Sequence, residues 1–297
     1  MEKLQKKICG KNIFLKFLSY LLQQKIYIIE RKITMSNYCI KGYITNLGKY
    51  NEGELKGKYI TFPVTDKELK SALDEIGING EYEEWFFSDF DGHYPHCVSN
   101  LLNEYSSVSE LNKIALALDK VYEAGVQEEF EAFMEKSPDF FNACANAIDG
   151  NGIYINCDDN DSLAHYLIDE TGGIENVAKS TLAWYFDYES FGRDVRIEFY
   201  NEEELEETAG EYWCGDENAT DSEIGEAVIN ECGLESVSNI EYYFDYEEYG
   251  RTVFIEGDYI YSDNGIVDCS DYDDMLGEDF ENELEEELSE ETLSAER

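Results

Sequence analysis

The residue types that most often do chemistry are sparse in this 297-residue chain, and their spacing does not suit catalysis. The three histidines are His93, His96 and His165; His93 and His96 flank Tyr94-Pro95, and neither belongs to an H-E-x-x-H pair that would grip zinc. Surface or internally satisfied histidines are the plainer reading. The eight cysteines, Cys9, Cys39, Cys97, Cys144, Cys157, Cys214, Cys232 and Cys269, contain no C-x-x-C. Reduced, buried thiols of a cytoplasmic protein are therefore expected, rather than metal or redox sites. Asp158-Asp159-Asn160-Asp161-Ser162 has the flavour of a calcium loop but lacks its later glycine and closing glutamate. No phosphate-cradling glycine loop and no G-x-S-x-G turn occurs. Carboxylates are dense enough that pairs at acid/base distance arise by chance. No catalytic residue, cofactor or metal site is expected, and the chain does not read as an enzyme.

What remains is the carboxylate itself. The chain holds 67 Asp plus Glu against 22 Lys plus Arg, a formal charge of −45. Residues 1–35 carry eight of the bases and two of the acids, which leaves 65 acids, 14 bases and a net −51 for the rest. A carboxylate accepts hydrogen bonds from the same Lys and Arg side chains that hold phosphate. Duplex DNA carries about one negative charge per 1.7 Å of axis, so 51 charges at that spacing would cover about 87 Å.

Charge of this size opposes compaction, and in a chain poor in rings it would mean disorder. Here 23 Tyr, 16 Phe and 3 Trp make up 14% of the residues. Each ring can bury roughly 150–250 Å², enough to offset the ordering entropy. The expected fold is α+β: an elongated string of small domains, because spreading like charges lowers their repulsion.

Tyr38 to Leu47 reads as a strand, Gly48 to Gly53 as a turn cluster, and Tyr59, Ile60, Phe62 and Val64 as a second strand. Asp66 is the expected N-cap of a helix through Leu69, Leu73 and Ile76, stopped by Gly77. Tyr82 to Phe90 is a third strand, with Trp85 and Phe87 on one face and Phe86 opposite. Its outer charges would be Glu81, Glu83, Glu84, Asp89 and Asp91. Residues 101–148 read as helical: Ser107 with Glu110 fits a capping box, and Leu111, Ile114, Ala115 and Leu118 form a core stripe. Phe130, Phe133 and Met134 belong to a second helix, and Pro138 opens a third with Phe141 and Ala145. A strand from Ile153 leads through Asp158, Asp159 and Asp161 to a helix over Leu163 to Thr171, closed by Gly172-Gly173.

An internal repeat follows. WYFDYESFGRDVRIE at 184–198 and YYFDYEEYGRTVFIE at 242–256 agree at ten of fifteen positions, 58 residues apart. Asp161-Ser162 and Ile168 to Gly172 are echoed upstream of the second copy by Asp221-Ser222 and Ile229 to Gly233. One αβ unit has been duplicated, and the repeat is structural before it is functional. Gly192 and Gly250 are expected to mark turns, and Arg193 and Arg251 to anchor local carboxylates. From Asp271 the chain holds 13 acids and one Arg, with Leu276, Phe280, Leu284 and Leu288 at i+4 spacing, either an acidic amphipathic helix or a solvated tail.

The expected division is therefore 1–35 basic leader, 36–98 sheet-plus-helix domain, 99–150 helical middle domain, 151–205 αβ domain, 206–270 duplicated αβ unit and 271–297 acidic tail. The leader is interrupted by Lys16 and Lys25, so it is too short in apolar residues to span a membrane. A basic amphipathic extension, a membrane-surface segment and translated upstream sequence before a start at Met35 stay open; the change of composition at that point favours the last.

Several motifs together resemble the ArdA antirestriction family: NLGKYNEGELKG at 46–57, EEWFFSDFDG at 83–92, DSLAHYLIDETG at 161–172 and the two FDYExxGR segments, in the family's order over roughly 40–268. The resemblance implies a cytoplasmic, elongated homodimer of three small domains per chain. It implies mimicry of bent B-form DNA, occupying the DNA channel of type I restriction-modification enzymes at their methyltransferase core, with no direct nucleic-acid or membrane contact. DSLAHYLIDETG matches the family's antirestriction motif, which the resemblance also places near the dimer interface. The leader, the second FDYE copy and the acidic tail depart from the family pattern; its closing GD-aromatic stretch is best matched at Gly257 to Ile266. Candidate partner-binding carboxylates are the five named above with Asp158, Asp159, Asp161, Asp169, Glu170, Asp187, Glu189, Asp245, Glu247 and Glu248. A general acidic decoy or chaperone for basic DNA-binding proteins is the alternative, and a calcium buffer a third reading.

Overall fold

Alternating burial builds the first element. In β1 (Cys39–Asn46), Ile40 and Ile44 point inward while Lys41 and Tyr43 lie on the other face, the period of two that a one-sided sheet requires. The computed structural model describes residues 38–177, 179–198, 219–234 and 237–295. The leader, with Cys9, and Cys214 lie outside them. β1 is the middle strand of an antiparallel sheet ordered β2-β1-β3, with β2 (Gly57–Phe62) and β3 (Trp85–His93) as its edges. The Gly48–Gly53 cluster begins as one short helix, α1 (Leu47–Asn51), capped by the Asn46 side chain rather than forming a bare turn. Helix α2 (Asp66–Glu75) follows β2; its cap is Thr65, one residue before the expected Asp66, in a reciprocal box with Glu68. Thr wins because its hydroxyl reaches the Glu68 amide while Glu68 reaches back to the Thr65 amide. Phe62, Phe87, Ile60 and Ile76 are buried here, and Trp85 meets Phe87 edge-on at 5.3 Å.

The middle of the chain is helical as expected: α3 (Val108–Ala124), α4 (Gln127–Lys136) and α5 (Phe140–Asp149). Leu111, Ile114, Ala115 and Leu118 are all buried, as are Phe130 and Phe133. Ser107 caps α3 through the Glu110 amide. The inward aromatic of α5 is Phe140, with Phe141 beside it at 5.1 Å, because the cap falls on Asp139. The strongly acidic C-terminal segment is a helix, α11 (Leu276–Ala295), lying on α3 and α5 with Leu284 fully buried. Two buried asparagines hold its start. Asn142 donates to the Asp273 carbonyl at 2.8 Å and accepts from the Gly277 amide at 2.7 Å; Asn146 bonds both the amide and the carbonyl of Asp273 at 2.8 Å. Lys113, itself almost buried, reaches Glu281 at 2.5 Å and Glu285 at 2.8 Å, and Lys120 reaches Glu287 at 2.6 Å. Three of the segment's acids are thereby matched to bases.

One compact unit reaches to Ile153 and is completed by the segment from Asp271; the other is Tyr154–Ser270. The second contains α6 (Asn160–Glu170), α7 (Lys179–Trp184), α8 (Tyr188–Glu198), α9 (Asp221–Cys232), α10 (Tyr246–Glu256) and a small sheet in which β6 (Gly265–Asp268) lies between β4 (Ile153–Ile155) and β5 (Tyr259–Ser262). α6 begins three residues before the expected Leu163, because Asp159 is its cap. The two repeat segments give α8 and α10, each opening at the tyrosine directly after the aspartate of FDYE. Gly192 and Gly250 do not mark turns. Each is buried in mid-helix where a neighbouring helix crosses: a Cβ on Gly192 would meet the Asp221 carbonyl oxygen at 1.7 Å, and one on Gly250 the Asn160 carbonyl oxygen at 1.8 Å. Only a residue without a side chain lets two helix backbones approach so closely.

Candidate functional site

Fourteen of the fifteen candidate carboxylates are exposed, and Glu248 is half-buried. Five belong to the first unit. Glu81, Glu83 and Glu84 lie on the turn into β3, where Asn79 organises the chain by accepting from the Glu81 amide at 2.8 Å. Asp89 and Asp91 are two apart on β3 and share a face, opposite Tyr43 and Lys41 of β1. Asp89 accepts a 2.5 Å hydrogen bond from the Tyr59 hydroxyl. That bond, with a little burial, pushes the Tyr59 phenol up to about 12.

The other ten lie in the second unit. Asp159, Asp187 and Asp245 repeat one device: each accepts from a backbone amide three residues on, Ser162 at 2.8 Å, Ser190 at 2.9 Å and Glu248 at 2.9 Å. The Ser162 amide holds the Asp159 carboxyl below the usual range. Burial pushes Asp187 upward, but its hydrogen bonds from Ser190 outweigh that and leave it lowered. These three acids therefore serve the fold as helix caps, with the other oxygen left to solvent. Asp161 stands 3.6 Å from His165, whose ring stacks on Tyr246 at 3.8 Å. Burial, and then the charges of Glu241, Asp161 and Asp169, raise the Tyr246 phenol. Glu247 accepts from Asn160 at 3.3 Å, and Glu248 pairs with Arg251. Arg251 thus anchors a carboxylate as expected, whereas Arg193 donates to the Ser190 hydroxyl at 3.0 Å.

Glu81, Glu83, Glu84, Asp91, Asp158, Asp169, Glu170 and Glu189 spend no side-chain oxygen on a hydrogen bond or ion pair among the described residues. Asp169 and Glu170 sit in the last turn of α6, where no base accompanies them. The helix dipole disfavours an anion there by about 0.3–1 kcal/mol. Helix stability does not explain their placement.

Sequence reading missed Asn142, Asn146, Lys113 and Arg196. The signal for the asparagines was available: two amides at i, i+4 on the apolar face of FFNACANAID. Arg196 gave none; it reaches Asp221 at 2.7 Å across the chain. Of the six described cysteines, none forms a disulfide; Cys144, Cys157 and Cys269 are buried, Cys39 and Cys97 half-buried, and Cys232 exposed, against the expectation of uniform burial. Burial pushes the Cys97 thiol up to about 11. Among the described residues, no three His, Cys, Asp or Glu side chains stand together to hold a metal ion, and no helix is long and apolar enough to cross a membrane.

The fold and this surface define a mixed α+β protein with exposed carboxylates over a buried, largely aliphatic core. The family model of the antirestriction protein ArdA matches residues 42–204, and the chain belongs to that family. The match takes in the first FDYE segment and ends before the second. Membership implies an antirestriction function and interaction with restriction enzymes. No match was found among curated proteins.

Proposed function

We propose that this protein inhibits type I restriction-modification enzymes by standing in for DNA, its carboxylates taking the place of phosphates against the Lys and Arg side chains of the DNA channel. The observation that carries the reading is the set of exposed carboxylates that have no partner among the described residues, including the two at the α6 C-terminus, a helix whose other face buries Leu163, Ala164 and Ile168. Asp91 on β3, Asp169 and Glu170 on α6 and Glu189 on α8 have their spacing fixed by the element, which a disordered polyanion cannot do. Affinity on this reading comes from phosphate-type contacts and carries no sequence preference, because no base edge is displayed. Exposed aromatics, Trp184 at 84% and Tyr242 at 79% accessibility, occupy equivalent positions of the two repeats and offer flat faces to guanidinium groups.

The test is competition of the full chain against duplex DNA for a type I methyltransferase complex, at several salt concentrations. DNA is expected to be displaced, with apparent affinity falling steeply as salt rises. Replacing Asp169 and Glu170 by Asn and Gln should weaken displacement and flatten the salt slope. Full DNA occupancy under excess protein rejects the proposal. Equal binding to unrelated basic proteins would instead support the acidic decoy.

A further inference from the structure

We infer that the two FDYE units are each other's binding partner: they close a two-fold pairing inside one chain by exchanging helices, so the αβ units do not pair with those of a second chain. Three observations converge on this, all within Tyr154–Ser270.

The first is the seam between the repeats. Phe186 and Phe244, equivalent residues 58 apart, form an antiparallel bridge. Around it the Asp187 amide donates to the Tyr243 carbonyl at 2.6 Å, and the Asp245 amide donates to the Tyr185 carbonyl at 2.8 Å. Residue i of one copy bonds j of the other, and j bonds i; reciprocity of this kind is the signature of a two-fold contact.

The second is the exchange itself. α6 precedes the first FDYE segment yet packs on α10 of the second, while α9 precedes the second segment yet packs on α8 of the first. The crossings match residue by residue. Gly250 of α10 faces Ala164 and the Asn160 carbonyl of α6; Gly192 of α8 faces Gly225 and the Asp221 carbonyl of α9. Each glycine is the fifth residue of its helix, and so are Ala164 and Gly225. The third is a shared core drawn evenly from the two copies: Ile168, Leu182 and Phe186 from the first, Ile229, Leu234 and Phe244 from the second.

Tandem fusion makes such a pairing intramolecular. A short linker sets an effective concentration on the order of mM, so at μM protein the internal partner outcompetes another chain by about a thousandfold. The second unit thus replaces, for this surface, the homodimer that the family resemblance implies. It keeps both sets of acidic helices together at any dilution.

The test uses the exposed pair Asn160 and Glu247, whose side chains meet at 3.3 Å between α6 and α10. The full chain carrying Asn160→Cys and Glu247→Cys is treated with a short bis-maleimide, beside the parent chain to show the background from its own thiols. The expected product, on a denaturing gel, keeps the mass of one chain and yields a peptide linking positions 160 and 247. A two-chain product linked through the same positions overturns the inference, because the helices would then be exchanged between molecules. Both thiols reacting singly, without a link, overturns it as well, because α6 would then not lie on α10. The readout is independent of restriction enzymes, so its failure and the failure of the proposed function are separate results.

Discussion

Adding a single methyl group at Gly250 tests how the second unit is held together. A Cβ there would lie 1.8 Å from the Asn160 carbonyl oxygen and 3.2 Å from the Ala164 Cβ. The obstacle is backbone, so no side-chain rotation relieves it, and α6 must retreat by about 1.6 Å to restore an ordinary contact. The retreat strains the packing of Leu163, which is buried against Ile155, Cys157 and Ile266. Overpacking of this kind costs about 1–3 kcal/mol. Alanine in place of glycine within a helix returns about 0.5–1 kcal/mol. Because the clash is with a fixed atom the penalty wins, and Gly250→Ala is expected to lose about 1–2 kcal/mol in urea unfolding. Hydrogen exchange locates the damage: amides of Asn160–Glu170 should exchange faster while those of Asp221–Cys232 stay protected. Gly192→Ala, whose Cβ would meet the Asp221 oxygen at 1.7 Å, should give the reverse pattern. A stabilised Gly250→Ala would show that helix propensity outweighs the crossing. Faster exchange in α9 rather than α6 would refute the exchanged pairing on which the argument rests.

Asn142→Ala removes the amide that bonds Asp273 and Gly277, leaving buried backbone groups unsatisfied at a cost of about 1–3 kcal/mol, and limited proteolysis should then cut first within Leu276–Ala295. Lys113→Met leaves Glu281 and Glu285 without their cation and should speed hydrogen exchange in the same helix. Burial alone would lower the Lys113 pKa, but the two glutamates override it and raise it. While Glu281 and Glu285 stay ionised, a raised lysine stabilises fully below the unfolded value near 10.4 and loses that contribution as pH climbs through the folded value, so on the alkaline side the stability advantage of wild type over Lys113→Met should fade in strong alkali. Tyr59 should ionise near pH 12, seen by ultraviolet difference titration against Tyr59→Phe, and Asp89→Asn should bring it back toward 10.0. Its bond to Asp89 is present below the unfolded tyrosine pKa and is lost as pH rises through the folded one.

Where local chemistry decides the outcome, sequence was sufficient. The period of two in Cys39–Asn46 and the 3.6-residue stripe of Leu111, Ile114, Ala115 and Leu118 depend only on which face is apolar, and both are present. The surplus of carboxylates, the rings that offset it, the repeat and the family motifs were all legible without coordinates. Exposure of the candidate acids also followed from type, since an unpaired carboxylate is rarely buried. Cap positions slipped by a residue or so, because Thr65 and Asp66 are both competent and only backbone geometry chooses between them. Contacts between distant segments could not be read at all. Glycine signals turn or close approach equally well, and a neighbour far away in the chain made Gly192 and Gly250 the latter. Asn142, Lys113 and Arg196 take their meaning from Asp273, Glu281 and Asp221, which no local pattern connects to them. The sequence determined that the FDYE segment occurs twice; tertiary structure decided that α6 packs on α10 and α9 on α8, because apolar faces pair with whatever surface fits them once the chain has closed, regardless of their order along it.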